Sequence, residues 1–213
     1  MNTTSKQHEK TYKLALAGLM AALCYAGYAF LPAFSADGTK IHFGNTFVVL
    51  AAYLLGGWYG GLAGAVGLTA ADILGGFAES APRTFLCKLM IGLIAGFIAH
   101  RVARIAEKHP AGYVTKWAIL AAAAGLGFNC IFEPSLKYVW YTFLTPNPEK
   151  AAKAIASLLA LTTYTTFINS IINTITSVVL YTALRPAFAK SGLLAMAAPK
   201  SAYEKKKTDR TEE

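Results

Sequence analysis

Charge is scarce in this chain, whereas long apolar runs are abundant. Only 15% of the 213 residues are charged and 55% are hydrophobic, while a soluble domain of this size would carry about 25% charged residues. The apolar residues form blocks about as long as a helix that crosses a hydrocarbon core of roughly 30 Å. They lack the alternation of β-barrel strands. This composition predicts an all-α integral membrane protein.

Motifs of several enzyme and metal-binding classes are also absent. The three cysteines (Cys24, Cys87 and Cys130) lie far apart within apolar blocks, without metal-ligand spacing, and are interpreted as small buried hydrophobic residues. His42 has no second histidine at metal spacing. No HExxH, GxSxG or Walker-type phosphate loop occurs. We therefore expect no enzyme, no metal site and no ATP hydrolysis by the chain itself.

Six apolar blocks predict a bundle of six transmembrane helices in one membrane domain, residues 13–186. The blocks are Leu14–Leu31, Phe43–Leu55, Tyr59–Phe77, Pro82–His100, Trp117–Phe143 and Ile155–Leu184. The second is too short to span upright, so we expect a short or irregular helix that is tilted, partial or packed inside. Pro134 is expected to kink the fifth helix. Residues 1–12 are predicted as a polar arm and 187–213 as a basic tail, disordered at its end.

The net charge of +9 does not require a nucleic-acid partner. Fourteen of the twenty lysines and arginines lie in the N-terminal arm with the adjoining Lys13, in the fourth-to-fifth connection, and in the tail with the adjoining Arg185. Only four lie at the alternate connections, namely Lys40, Arg83, Lys150 and Lys153. This is the positive-inside bias, which predicts that both termini are cytoplasmic. A basic tail beside an anionic membrane leaflet accounts for the remaining charge.

Four ionisable residues, Asp72, Lys88, Glu133 and Lys137, fall inside the apolar blocks. At about 1.5 Å of rise per residue all four lie in the outer half of the membrane. Charge at that depth is costly unless it is paired or hydrated, so it marks a functional site by default. Clustering on one side predicts a polar pocket open to the outside, because an ion path would place polar groups on both sides of the midplane.

Pairing within this group leaves two interpretations open. Asp72 and Lys88 lie on consecutive helices joined by a tight turn, and Glu133 and Lys137 have the favourable i, i+4 order. Both pairs are compatible with structural salt bridges and with a ligand pocket. Trp140 and Tyr141 crowd around Lys137, where they serve either as membrane-interface anchors or as pocket walls.

The last block carries a polar stripe on one helical face. Its members are Thr162, Thr166, Asn169 and Asn173, at four- and three-residue steps. Helix–helix hydrogen bonding is the alternative to pocket lining. The first block carries small residues at four-residue spacing in two registers, Ala17 with Ala21 and Gly18 with Ala22. Such spacing permits close helix packing, either within the chain or against a membrane partner.

One stretch of the sequence has a recognisable pattern. It comprises Ile41-His42-Phe43-Gly44-Asn45-Thr46, the run AAYLLGGWYGGLAGAVG at 51–67, Ala71-Asp72, Pro82-Arg83-Thr84-Phe85, and Lys88 with Gly92 and Ala95-Gly96. This resembles the substrate-binding S components of energy-coupling factor (ECF) transporters of the riboflavin/pyridoxine-type group. The resemblance covers about residues 13–184 and is strongest from His42 to Gly96.

The resemblance implies a prokaryotic plasma-membrane protein that captures a vitamin or vitamin precursor from outside. A membrane coupling subunit (T component) and two cytoplasmic ATPases would complete the transporter and consume ATP, and no covalent cofactor is expected. Pyridoxine-, hydroxymethylpyrimidine-, riboflavin- and cobalamin-like ligands all stay open. A stand-alone secondary carrier or channel is the alternative, although no internal repeat is evident.

The family's pocket and docking motif map onto particular residues here. The implied pocket residues are His42, Asn45, Lys88, Glu133, Lys137, Asn169 and Asn173, to which we add Trp140 and Tyr141 from the crowding described above. Asp72 is then expected to be a structural partner of Lys88. The family's small-residue docking motif maps to Ala17 and Ala21 or to Gly18 and Ala22.

Overall fold

Helices make up nearly all of the structure that the computed structural model describes, which covers residues 3–30, 35–36, 39–144, 149, 152, 161–190, 192 and 194. Within these residues the α-helices are α1 (Thr3–Ala29), α2 (Gly44–Leu74), α3 (Ala81–Phe97), α4 (Ala111–Val139) and α5 (Leu161–Lys190). A short antiparallel pair, β1 (Ser35–Ala36) and β2 (Thr39–Lys40), precedes α2. π-Helical turns follow α3 (Ile98–Val102) and α4 (Trp140–Leu144). Five helical segments of the described chain are long and apolar enough to cross a membrane.

Helix α2 reverses its direction at Gly56. The backbone there has φ 82° and ψ 172°, a combination that glycine alone adopts readily. Across the reversal Gly60 packs against the backbone of Ala52, and Gly64 packs against Val48. The predicted break at Gly56-Gly57 is therefore observed, and the blocks predicted on either side of it lie antiparallel.

The first half of α2, residues 44–55, is the helix that the rest of the bundle surrounds. Every residue from Val48 to Leu55 is at most 2% exposed, so this short helix is packed inside the bundle. Its Tyr53 hydroxyl donates to the Ala118 carbonyl of α4 and its ring packs on Tyr181 of α5. On the α3 side, His100 Nε2 lies 3.1 Å from the carbonyl oxygen of Ala52, one turn before the break at Gly56.

Glycines bring α3 into backbone contact with the second half of α2. A Cβ atom at Gly92 would overlap Gly61, and one at Gly96 would overlap Gly57. Gly67 likewise packs against the carbonyl of Ala21 in α1. Such close approach maximises dispersion contacts between helices that lipid does not drive together.

Some predicted boundaries differ from the structure. α4 continues through Pro134 to Val139 and a π-helical turn follows from Trp140, so the fifth predicted block is helical on both sides of the proline, and the kink expected there stays a prediction. α1 begins at Thr3, which makes most of the predicted polar arm helical. The start of the sixth predicted block, 155–160, and the end of the tail, 195–213, lie outside the described residues.

Candidate functional site

A cavity of about 550 Å³ lies at one end of the bundle. Its walls come from the C-terminal ends of α1 and α4 and from the N-terminal ends of α3 and α5. Helix α2 contributes both of its ends, which lie side by side because the helix reverses at Gly56. The described polar and charged residues that line it are Tyr25, Tyr28, Lys40, His42, Asn45, Asp72, Ser80, Arg83, Thr84, Lys88, Glu133, Lys137, Thr165, Thr166 and Asn169. The four ionisable residues predicted from the apolar blocks therefore face one common space.

Lys88 and Glu133 form an ion pair across the α3–α4 interface. Lys88 Nζ lies 3.7 Å from Glu133 Oε2, and 6% of the lysine side chain is exposed against 39% of the glutamate side chain. Asn129, one turn below on α4, donates to the same carboxylate oxygen at 2.7 Å. The carboxylate is thus held between an ammonium and an amide at the cavity wall.

This pairing differs from both pairs expected from the sequence. Helical side chains lean toward the N-terminus of their helix, which directs Glu133 toward Asn129 and the α3 interface instead of toward Lys137. Asp72 accepts hydrogen bonds from the hydroxyls of Thr84 at 2.5 Å and Ser80 at 3.3 Å. Asp72 therefore anchors the start of α3, and the charge partner of Lys88 is Glu133.

Asn169 and Asn173 of α5 hold the segment that leads into α2. Asn169 donates to the Lys40 carbonyl and accepts from the His42 amide, at 2.9 and 3.0 Å. Asn173 accepts from the amide and hydroxyl of Thr46 and donates to the His42 carbonyl. The two amides thus supply partners to the backbone of Lys40 and His42, which precede α2, and a further acceptor to the Thr46 amide in its first turn.

His42 is a buried, neutral histidine in this segment. Its Nδ1 accepts from the Gly44 amide at 3.1 Å, and its ring packs edge-on against Tyr28. Burial, together with the charges of Lys88 and Lys40, lowers the pKa of His42 to about 3. Because Nδ1 accepts, the proton of the neutral ring is on Nε2, and His42 can offer that proton to a ligand.

Asn45 also presents a group suited to a ligand. It is 4% exposed and lines the cavity, and its Oδ1 is buried without a hydrogen-bond partner among the described residues. A buried acceptor that no protein group satisfies costs about 1–3 kcal/mol. A ligand donor at this position would recover that cost.

Three of the predicted pocket residues lie outside the described lining. Asn173 is fully buried beneath Asn169. Tyr141 contacts Arg83, whose guanidinium carbon lies 5.0 Å from its ring centroid, and Trp140 starts the π-helical turn. Contact of these three residues with a ligand stays a prediction.

Several lining residues were not among the predicted pocket residues. In the sequence Lys40 and Arg83 are basic residues of the connections, Arg83 also belongs to the recognised pattern, and no motif marks Tyr25 or Tyr28. The signal for Thr84 and Arg83 is their position in the first turn of α3, one turn before Lys88. The two tyrosines are three residues apart at the end of α1, which places them on one face.

The structure distinguishes the two registers of small residues on α1. Ala17 and Ala21 pack against the core of the bundle, and Ala21 meets Gly67. Gly18 and Ala22 are exposed, and nothing in the described chain lies within 4 Å of where a Gly18 Cβ would be. A membrane partner that binds this face of α1 would therefore contact Gly18 and Ala22.

The described residues of this helical membrane protein enclose a polar cavity at one end of the bundle, which is the kind of concave site at which small molecules bind. A model of the family described as ECF-type riboflavin transporter, S component, matches residues 8–186. Since this match covers most of the 213 residues, the chain belongs to that family. No curated protein and no solved structure matches the chain.

Proposed function

We propose that this protein captures a vitamin or vitamin precursor outside the cell and delivers it to the cytoplasm while partner subunits hydrolyse ATP. The observation that carries the proposal is the cavity of about 550 Å³ with charges of both signs, amides and tyrosines. All its lining comes from one end of the helices, which suits capture better than conduction. Family membership supports the same function.

Topology and orientation follow from the charges and from the reversal at Gly56. With the two halves of α2 counted as separate helices, the described residues contain six helices, and we propose that all six cross the membrane, which returns the C-terminus to the side of the N-terminus. The excess of basic residues in the arm, the fourth-to-fifth connection and the tail supports the proposal that both termini are cytoplasmic, and we propose the plasma membrane of a prokaryote as the location, as the resemblance implies. The cavity then opens outward.

The ligand that this cavity favours is a substituted heterocycle. Pockets for drug-sized ligands occupy about 300–1,000 Å³, and the cavity of about 550 Å³ falls inside that range. Pyridoxine-, hydroxymethylpyrimidine- and riboflavin-like molecules are of this kind, whereas a cobalamin-like ligand is far larger and is disfavoured. Hydrogen-bonding groups on the ring would meet Asn45 and His42.

The partners of the proposed transporter are a membrane coupling subunit and two ATPases. The exposed Gly18 and Ala22 face of α1 is the proposed docking surface. Leucine at Gly18 or Ala22 should abolish uptake and co-purification of the partners while ligand binding persists. Ala21→Leu should instead lower the yield of folded protein, because Ala21 packs against the core of the bundle.

Mass spectrometry of small molecules that co-purify with the protein tests the proposal directly. We expect one vitamin or precursor, bound by the purified subunit without ATP. Purified protein in liposomes that accumulates solute along an ion gradient would establish the secondary-carrier alternative. A ligand-free protein that binds no member of a vitamin panel would refute the capture function.

A further inference from the structure

The charges lining the cavity do not cancel. Over the described lining, Lys40, Arg83, Lys88 and Lys137 are cationic, whereas Asp72 and Glu133 are anionic. His42 adds no charge because its ring is neutral at pH 7. The described lining therefore carries a formal excess of two positive charges.

Both carboxylates are already engaged by protein groups. Glu133 receives the Lys88 ammonium and the Asn129 amide, and Asp72 receives the Thr84 and Ser80 hydroxyls. Among the four cations of the described lining, Lys88 is the one whose charged group lies within 4.0 Å of a carboxylate. The positive excess is therefore carried by Lys40, Arg83 and Lys137.

Lys40 is held by neutral groups of α1. Its ammonium donates to the Tyr28 carbonyl at 2.8 Å and lies 4.3 Å from the Tyr28 ring centroid. This arrangement fixes the charge at the cavity edge without neutralising it.

Arg83 and Lys137 are less well satisfied. One terminal nitrogen of Arg83 lies 3.4 Å from the Tyr141 hydroxyl, while its Nε is buried without a hydrogen-bond partner among the described residues. Arg83, in the first turn of α3, and Lys137, near the end of α4, line the same cavity. Two like charges facing one cavity favour a counter-ion between them.

We propose that the captured ligand is an anion whose carboxylate or phosphate binds between Arg83 and Lys137. This inference rests on the proposed capture function and adds the charge of the substrate to it. The guanidinium offers donors in the planar arrangement that carboxylate and phosphate oxygens match. The remaining ring of the ligand would lie toward Tyr25 and Tyr28.

Matched neutral and anionic ligands test the proposal on the purified full-length protein. The carboxylate arm compares nicotinate with nicotinamide, and the phosphate arm compares pyridoxine and riboflavin with their 5′-phosphates. Equilibrium binding is measured by isothermal titration calorimetry in detergent at low and high salt. Within a pair that binds, the anionic member should bind at least about tenfold tighter, and its advantage should shrink with added salt.

Charge removal on the protein gives the second measurement. Arg83→Gln and Lys137→Gln should each weaken binding of the anionic member by roughly ten- to hundredfold and leave the neutral member nearly unchanged. Lys116→Gln is the matched control, since Lys116 is exposed near the opposite end of α4. Thermal unfolding of each variant verifies that it is folded before binding is compared.

The outcomes separate this inference from the proposed function. A neutral member that binds as tightly as its anionic partner would overturn the anion proposal and leave vitamin capture intact. Equal weakening of both members by Arg83→Gln would also overturn it, because the guanidinium would then serve the pocket's shape. Absence of binding by every member would reject both proposals together.

Discussion

Glycine backbones hold the helices together at one end of this bundle, whereas charged and amide side chains line a space between them at the other. At the first end Gly57 and Gly61 meet Gly96 and Gly92 without room for a Cβ atom. At the second end Lys88, Glu133 and Asn169 face a cavity of about 550 Å³. The first arrangement maximises packing and the second leaves room for a ligand, so substitutions at the two ends should fail in different ways.

The largest expected effect is at the glycine end. In Gly96→Val the new side chain would overlap Gly57, and α3 would have to move away from α2. Overpacking of a close contact costs about 3 kcal/mol or more when backbone must shift. We expect loss of the monodisperse peak in size-exclusion chromatography.

Gly127→Val is the control for that substitution. Gly127 is an exposed glycine of α4 with nothing described within 4 Å of the added Cβ position. It should elute like the wild type. A well-folded Gly96→Val protein would show that the backbone contact does not hold the helices together.

The next effect concerns the ion pair at the cavity end. In Lys88→Met the Glu133 carboxylate keeps its hydrogen bond from Asn129 and loses its described ion pair. We expect the free energy of unfolding to fall by about 1–3 kcal/mol. This is less than for a fully buried pair because 39% of the Glu133 side chain is exposed. Thermal unfolding measures the loss.

A double variant separates folding from binding at this pair. Lys88→Met with Glu133→Gln removes both charges and should regain most of the lost stability, while ligand affinity stays low. Recovery of affinity along with stability would mean that the pair only supports the fold.

The two asparagines of α5 allow a finer comparison within the cavity end. Asn173 is fully buried, and its side-chain amide forms its described hydrogen bonds with protein groups. Asn173→Ala should therefore lower the free energy of unfolding by about 2 kcal/mol, because those groups lose their partner. Asn169 lines the cavity, so Asn169→Ala should raise the ligand Kd more than it lowers the unfolding temperature. An equal loss of stability in both variants would assign both amides to the fold.

Much of the fold could be predicted from the sequence, because apolar block length and glycine runs are local signals. The break at Gly56 and the placement of Asp72, Lys88, Glu133 and Lys137 around one cavity are examples. Partners across helices could not be predicted in the same way. Whether Glu133 meets Lys137 or Lys88 depends on the rotation of α4 against α3, which depth along a helix does not fix.

Arg83 illustrates the same limit. In the sequence it is one more charge in a connection, and only the packing of α3 beside the end of α4 brings its guanidinium to Tyr141 and the cavity. Pro134 lies inside α4, which continues to Val139, and the kink that the sequence predicts there stays a prediction.

The smallest expected effect is a pH dependence that arises at His42. Its pKa is lowered to about 3 in the folded protein, below the value of about 6.5 expected when unfolded. The unfolded state therefore binds more protons between these two values, so stability falls as the pH drops from 6.5 toward 3 and is unaffected above that range. At pH 5 the loss of stability from this one group is at most about 2 kcal/mol.

The variant His42→Asn tests this effect, because asparagine keeps an acceptor for the Gly44 amide but cannot titrate. Its unfolding temperature should therefore fall less between pH 7 and pH 5 than that of the wild type. Identical pH profiles for the two proteins would mean that the His42 ring gains its proton without leaving the cavity, and the polar end would then be more hydrated than its burial indicates.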